Sequence, residues 1–451
     1  MVELYLLVLT GWPSDGKTNI AKMLRDFGFE YLSTDAVRRK LYPGKAPLDI
    51  PYPEGWEPIW DEIRMRRDVT LLSGRNVVID SCAQNNYIRD KFFSLDLETK
   101  LSLKAKGAHL HKYLIKLCVN DDVRLQRELA RGRNLDDMLK IIDAMKSDYQ
   151  DPANYKFEDV LFLEYPNNTF DDQAKILEHI KSLCGCSSRN IWNKYISVKK
   201  RKKSYAGKIV VSGEDHRANL EQIIKPHINK STVMLDEGCG IADHLLLYSM
   251  GAKKIYGIDT CTELILEARK SVANRPEIEI MWMDINDLEF DNNTFDIITN
   301  VFAPQTKKSC EEVYRTLKKG GLYVRVTGAG EFVEYNGKLL KRPQDIIGRG
   351  MFIDKMPKQI LTEETHQVKS AGFSFVKVNE FQGIKIFKTM EDAISYLRES
   401  GHFVFSEPFA PLSEDEVQKI VNNKAEFEIT CHNEKVIGVP YDSLLIIARK
   451  S

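Results

Sequence analysis

Several broad classes are excluded by what this 451-residue sequence lacks. Cysteine is sparse: eight scattered residues, whose one close pair, Cys184 and Cys186, has no second pair at zinc-site spacing. Neither a disulfide framework nor a four-cysteine zinc module is expected, and a reducing cytoplasm is. Charge of one sign is not in excess, since 65 Lys plus Arg face 65 Asp plus Glu. That balance excludes a uniformly basic nucleic-acid coat and an acidic disordered chain, so any basic site must be local. No apolar run reaches the about 18 residues that would call for a membrane span. With 43% hydrophobic and 29% charged residues, the composition is that of a soluble globular protein. The opening MVELYLLVLT has no basic leader or small-residue cleavage site and carries Glu3, so it reads as a strand and not a signal peptide. Internal repeats and low-complexity tracts are absent too.

What is present is two separate series of strand and helix signals. A chain of 451 residues allows two large domains or about three of ordinary size. In the first series, apolar runs at Leu4–Thr10, Phe29–Leu32, Asn76–Ile79, Tyr113–Val119 and Val160–Leu163 alternate with helix-like stretches at 17–27, 85–98, 121–132 and 170–183. In the second, runs at Val233–Asp236, Lys254–Asp259, Ile278–Met283, Phe295–Asn300, Gly321–Thr327 and Phe373–Glu380 are followed by a last strand, Ser443–Ala448. Alternation of this kind predicts α/β architecture with two doubly wound parallel sheets, a first domain over 1–183 and a second over 214–451. Between them, His179 to Gly213 carries nine basic residues (Lys181, Arg189, Lys194, Lys199, Lys200, Arg201, Lys202, Lys203, Lys208) and no acidic one. Residues 184–213 therefore read either as a solvated basic linker or, because Trp192, Tyr195 and Tyr205 are interleaved, as a strip tracking a phosphate backbone.

Gly11-Trp12-Pro13-Ser14-Asp15-Gly16-Lys17-Thr18 matches G-x-x-x-x-G-K-[ST], directly after an apolar strand and before the helical pattern Asn19–Phe27. Both glycines let backbone N–H groups converge on phosphate oxygens, with Ser14 and Asp15 completing the loop. Lys17 offers a charge to the β- and γ-phosphates of ATP, and the Thr18 hydroxyl can ligate Mg²⁺. After the next strand, Asp35 and Arg38 fall at a strand's carboxyl end, where open α/β sheets build their sites. Asp35 is the candidate base for an acceptor hydroxyl. Asp80, delivered by Val77-Val78-Ile79, is the candidate for the Mg²⁺ water shell or the acceptor; either carboxylate can instead cap a helix. Arg124, Arg127, Arg131 and Arg133 cluster on and just after a helix, so Arg127, Arg131 and Arg133 read as a lid over transferring phosphates, or as a solvated basic face. Residues 3 to 165 resemble the P-loop kinases of the polynucleotide kinase, zeta toxin and seryl-tRNA kinase group. The resemblance rests on the loop, S-T-D-x-x-R, V-V-I-D-S, R-x-x-x-R-G-R and Asp151-Pro152. It implies that Asp35 activates a hydroxyl.

In the second half, Val233-Met234-Leu235-Asp236-Glu237-Gly238-Cys239-Gly240 is a strand ending in D-x-G-x-G. The following strand ends at Asp259, about 20 residues on, where a carboxylate can accept both hydroxyls of a ribose. A third ends at Met283-Asp284-Ile285, offering a carboxylate for an adenine amino group and an apolar wall for its ring. No 2′-phosphate arginine or redox cysteine pair accompanies this set, so a methyl donor fits better than NAD. With Phe295-Asp296-Ile297-Ile298 and Leu317-Lys318-Lys319-Gly320-Gly321, residues 214 to 330 resemble class I S-adenosylmethionine methyltransferases. Asn300-Val301-Phe302-Ala303-Pro304 and the tail Phe403–Ala410 are similar to ribosomal RNA guanine-N1 methyltransferases, a resemblance that implies Asn300 and Pro304 at the acceptor mouth; read alone, the two are equally ordinary loop residues. The combined expectation is a bifunctional kinase and methyltransferase acting on RNA or a nucleotide-like substrate. The alternatives are a small-molecule tailoring or resistance enzyme and a nucleotide-gated binding protein.

Overall fold

The computed structural model describes residues 2–130, 135–157, 159–185, 208–211, 216–248, 251–328, 333–349, 357–399, 412–431 and 434–451. Arg131, Arg133, the tail Phe403–Ala410 and the basic segment from Arg189 through Lys203 to Tyr205, with Trp192 and Tyr195, lie outside these residues. The chain divides into two compact units, Met1–Asn190 and Ile191–Ser451.

Among the described residues, the first unit holds one five-stranded sheet: β1 (Val2–Thr10), β2 (Phe29–Ser33), β3 (Asn76–Asp80), β4 (Ala108–Cys118) and β5 (Val160–Pro166), in the order β2-β3-β1-β4-β5. Every pairing is parallel. A parallel sheet is covered on both faces, which is why β1 is an unbroken apolar run buried from Leu4 to Leu9. One face packs Leu4, Leu6, Val8, Val77 and Ile79 against Ile59, Trp60 and Ile63 of the helix Glu57–Leu72. That helix was not evident from apolar spacing, because its inner face carries Arg67. The guanidinium, fully buried, donates to the carbonyls of Lys91, Phe92 and Ser94 at 3.0, 2.6 and 2.9 Å, closing the carboxyl end of the helix Asn86–Phe93. The stretch 85–98 is thus two helices, the second (Leu97–Ala105) capped by Asp96, which accepts from Thr99 N at 2.7 Å. Connections leaving β1 and β4 run to opposite edges of the sheet, the switch point at whose carboxyl side open α/β sheets place their ligand crevices.

In the second unit, nine strands form one sheet among the described residues: β6 (Lys208–Val211), β7 (Val233–Glu237), β8 (Lys254–Asp259), β9 (Ile278–Trp282), β10 (Phe295–Val301), β11 (Leu317–Thr327), β14 (Phe375–Phe387), β15 (Glu428–Cys431) and β16 (Glu434–Arg449). A two-stranded ribbon, β12 (Val333–Tyr335) with β13 (Lys338–Leu340), stands apart. The order is β6-β14-β16-β11-β10-β7-β8-β9, with β15 on β16. The expectation of a wholly parallel second sheet is corrected: β7 to β11 are parallel, but β16 runs antiparallel to β11, β14 and β15, and β6 antiparallel to β14. The segment read as a linker therefore contributes a strand.

The reversal follows from where the chain goes between β14 and β16. Glu380 of β14 and Thr327, the last residue of β11, both pair with Leu444. Phe381–Phe387 thus extend beyond β11 on its carboxyl side, and a chain re-entering from that side must run antiparallel. The helices Met390–Glu399 and Glu414–Asn422 build a second core there around Phe387, Tyr396, Leu397, Ile420, Phe427 and Ile437. No helix among the described residues is long and apolar enough to cross a membrane.

Candidate functional sites

The loop after β1 turns through three left-handed residues, Gly11 (φ 139°), Ser14 (φ 66°) and Gly16 (φ 85°), a geometry that aims successive N–H groups to one side. A Cβ on Gly16 would meet Asn167 Nδ2 at 2.4 Å, so glycine is required there for space as well as for φ. Lys17 begins the helix Lys17–Met23, and its buried Nζ donates to the carbonyls of Gly11 (3.0 Å) and Trp12 (2.7 Å). Among the described residues no carboxylate pairs with it. A desolvated ammonium held only by carbonyls, beside a glycine loop at a helix N-terminus, suits a polyphosphate. Thr18 Oγ1 donates to Asp80 Oδ2 at 2.7 Å, and Tyr31 OH to the same oxygen at 3.2 Å. This hard-oxygen pair suits Mg²⁺. Burial pushes the Asp80 carboxyl above the usual range, opposed by the charge of Lys17 and the hydrogen bond from Thr18. A cation at that spot would favour the ionised form.

Ser33 of β2 pairs with Asp80 of β3, which sets Asp35, in the first turn of the helix Thr34–Leu41, at the same sheet edge. The Asp35 side chain is 63% exposed and is held by Arg38 Nε at 3.3 Å; Arg38 itself is buried and also donates to the carbonyl of Lys45. Asp35 is therefore oriented by Arg38 yet largely exposed.

Two expected residues do something other than expected. Asp15 is buried and its carboxylate is taken up by protein donors: Oδ2 accepts from Trp12 N at 2.7 Å and Oδ1 from Arg124 Nε at 3.0 Å. Arg127 donates to the carbonyls of Ser14 (3.2 Å) and Asn167 (2.6 Å), so it braces the loop. The sequence reading missed Asn167, whose Nδ2 donates to Asp15 O at 2.6 Å, and buried Glu128, which accepts from Ser14 Oγ. Nothing in their local sequence marks them. Trp12, unusual in such a loop, stacks on Tyr149 with ring centroids 4.7 Å apart.

The second site forms at the carboxyl ends of β7, β8 and β9. After β7 the chain turns through Gly238 (φ 66°), Gly240 (φ 56°) and Ala242 (φ 69°). A Cβ on Gly238 would meet that of Ala303 at 2.4 Å, so this backbone lies directly against the loop after β10. Asp259, half-buried at the end of β8, accepts from Gly240 N at 3.0 Å and Cys261 N at 2.8 Å. Met283 N donates to Asp259 O at 3.1 Å, which brings Asp284 and Ile285 beside it. Asp284 Oδ1 accepts from Asn286 N at 2.8 Å. Asp236 is buried, and its Oδ1 accepts from Thr299 Oγ1 at 2.6 Å, tying β7 to β10. The glycine turn, a partly open carboxylate and an apolar flank suit an adenosyl group.

The sequence model of a family described as "Methyltransferase domain" matches residues 234–321, the span that contains this turn and these strand ends. Residues 234–321 are a methyltransferase domain. Demethylmenaquinone methyltransferase of Staphylococcus epidermidis is 28% identical over 123 residues, covering 26% of this chain and 51% of that protein. The protein of the same name from Staphylococcus aureus is 26% identical over 196 residues, covering 39% of this chain and 81% of that one. The chain thus spans about half the length of the first of these relatives. The crystal structure of a putative methyltransferase from Bacillus halodurans aligns with 18% identity and a TM-score of 0.37, covering 52% of this chain and 98% of that one.

Within the methyltransferase domain, Asn300 does not line an open mouth. It is fully buried, its Nδ2 donating to Glu237 Oε2 at 3.1 Å and its Oδ1 accepting from Arg325 Nη1 at 2.6 Å. Glu237, Asn300 and Arg325 are register partners on β7, β10 and β11 and share one sheet face. Arg325 goes on to Glu364 at 2.8 Å, and Glu364 accepts from Gln305 at 2.9 Å. Burial lifts the Glu237 carboxyl to about 8, against the pull of Asn300 and Arg325. Pro304, by contrast, is exposed beside this row.

Proposed function

We propose that this chain is a bifunctional transferase: an S-adenosylmethionine-dependent methyltransferase in its C-terminal unit and an ATP-dependent kinase, phosphorylating a hydroxyl, in its N-terminal unit. The methyl-transfer half is carried by the methyltransferase-domain match over the glycine turn and Asp259. On this reading Asp259 exchanges its backbone partners for the two ribose hydroxyls of the donor, while Asp284 and Ile285 meet the adenine. The donor supplies an electrophilic methyl; the chain's part is to hold an acceptor atom in line with it. Replacing Asp259 by Ala is expected to weaken S-adenosylmethionine binding by at least tenfold, roughly 1.4 kcal/mol or more for two charge-assisted hydrogen bonds. Calorimetric binding at full strength in a folded Asp259→Ala protein would remove Asp259 from the site.

The kinase half is supported by Lys17 held against loop carbonyls, with the Thr18–Asp80 pair beside it. Gly11, Ser14, Gly16 and Lys17 would hold the phosphates, Thr18 and Asp80 the Mg²⁺, and Asp35 would take the proton of the acceptor hydroxyl.

For the acceptor we favour RNA or a nucleotide-like molecule, because the sequence from His179 to Gly213 carries nine basic residues and no acidic one, with interleaved aromatics. A small-molecule acceptor is the second reading, favoured by relatives named for demethylmenaquinone. The test is incubation of the full chain with γ-labelled ATP and methyl-labelled S-adenosylmethionine against total RNA and, separately, a small-metabolite extract. Label in RNA that weakens steeply with salt supports the first reading; label only in small metabolites establishes the second. No methyl label in either overturns methyl transfer as the activity.

A further inference from the structure

The amino ends of β1 and β4 carry a group of side chains that neither site uses. Glu3 pairs in register with His109, and Tyr5 with His111. Residues two apart on a strand share a face, so Glu3, Tyr5, His109 and His111 form a two-by-two patch. His111 Nε2 lies 2.6 Å from Glu3 Oε2, and the two side chains are 32% and 44% exposed. The His111 ring is set by a stack on Tyr5, with centroids 4.8 Å apart and planes at 12°, and the His109 ring stands edge-on to it at 4.5 Å. One ligand atom from each of Glu3, His109 and His111 lies within 4.8 Å of the other two. Eight strand residues at about 3.3 Å each put this patch roughly 25 Å from the phosphate loop.

We propose that Glu3, His109 and His111 form a binding site for one Zn²⁺ ion, bridging the first and fourth strands. Two imidazoles and a carboxylate are a donor set of borderline softness, which selects Zn²⁺ over the hard cations Mg²⁺ and Ca²⁺. Ligands about 2.0–2.1 Å from a tetrahedral zinc stand roughly 3.3–3.4 Å apart. The Glu3–His111 contact must therefore open by under about 1 Å and His109 close by at most about 1.5 Å, within the reach of side chains at the protein surface. A strand scaffold fixes the Cα positions, and the Tyr5 stack limits the rotamers of His111, so little ordering is required on binding. Water takes the fourth position, and the ion fastens the two strand ends together.

The test uses the full chain stripped with a chelator and titrated with ZnCl₂ in the presence of millimolar Mg²⁺, following stoichiometry by calorimetry and unfolding temperature by fluorescence. Free cysteines elsewhere also take zinc, so the informative quantity is a difference. The parent protein should bind one more equivalent than the His109→Ala/His111→Ala double variant and gain a larger increase in unfolding temperature, while Glu3→Gln should weaken that equivalent by about tenfold. Should the double variant unfold without metal, the same comparison is made with His109→Ala alone, whose side chain is exposed. Equal stoichiometry and equal zinc-induced shifts in parent and variant overturn the site.

Discussion

Replacing Lys17 with Ala should reduce ATP-dependent phosphoryl transfer by on the order of 10²–10³, the usual effect of removing one preorganised cationic donor from a developing anion. Lys17 is buried, its ammonium rests on two loop carbonyls, and it begins the helix whose N-terminus faces the loop. Its loss removes both charge and a brace, so nucleotide affinity should fall as well. Replacing Asp35 with Asn tests the other half of the chemistry. That side chain is 63% exposed and, among the described residues, makes no hydrogen bond to the glycine loop, its contact being Arg38 at 3.3 Å. ATP affinity should therefore be preserved while transfer falls by about 10²–10⁴, the range for a general base. Single-turnover transfer to the acceptor, measured beside equilibrium ATP binding, separates the two. Undiminished transfer in Asp35→Asn would sink the role given to that residue; undiminished transfer in Lys17→Ala would sink the kinase assignment itself.

The largest effect on stability is expected at Glu237. Its carboxyl titrates at about 8 in the folded chain against an ordinary 4.5, because burial disfavours the charge. The physical reason lies in its neighbours. Arg325 already pairs with Glu364 at 2.8 Å, so the buried row Glu237–Asn300–Arg325–Glu364 is neutral only while Glu237 keeps its proton, and among the described residues its Oε1 has no hydrogen-bond partner to offset ionisation. Between pH 4.5 and about 8 the folded chain retains a proton that the unfolded chain has lost. Stability contributed by the neutral acid is fully present below pH 4.5 and is lost as pH rises towards 8, at up to about 1.4 kcal/mol per pH unit, and the loss levels off above that. Glu237→Gln keeps the shape and removes the titration. Urea unfolding should show parent and variant nearly equal at pH 5, with the variant ahead by on the order of 2 kcal/mol or more at pH 8. The full shift would give roughly 4–5 kcal/mol, less whatever the row recovers by relaxing. Unfolding curves that keep a constant offset from pH 5 to 8 would show that Glu237 is already ionised in the folded state.

Much of both candidate sites was legible because it is local in the chain. G-x-x-x-x-G-K-T and D-x-G-x-G are runs of a few residues in which turn geometry, helix start and donor groups are set by neighbours, and Asp35, Asp80 and Asp259 follow from where strands end. Braces from afar left no such trace. Asn167 reaches the glycine loop from 152 positions away, at a position that the pattern around it does not distinguish; Arg124, 109 positions away, stood out only as one of four clustered arginines, with nothing to say that it meets Asp15. Arg127 was placed on the correct helix, but spacing along a helix says which residues share a face and not what that face meets. Asn300 shows the same limit: a strand-end asparagine reads as a mouth residue until the adjoining strands bring Glu237 and Arg325 onto it.

The sequence by itself determined two α/β units, the positions of the two glycine turns, and the parallel strands from β7 to β11, since short apolar runs and the residues that end them are properties of consecutive residues. Only the tertiary structure decided that β16 returns antiparallel, that Phe381–Phe387 carry a lobe past the carboxyl end of β11, that Glu237 is buried with its carboxyl pushed up to about 8, and that Glu3 meets two histidines more than a hundred residues away. Each depends on strand register between distant segments, and register is settled by packing over the whole sheet.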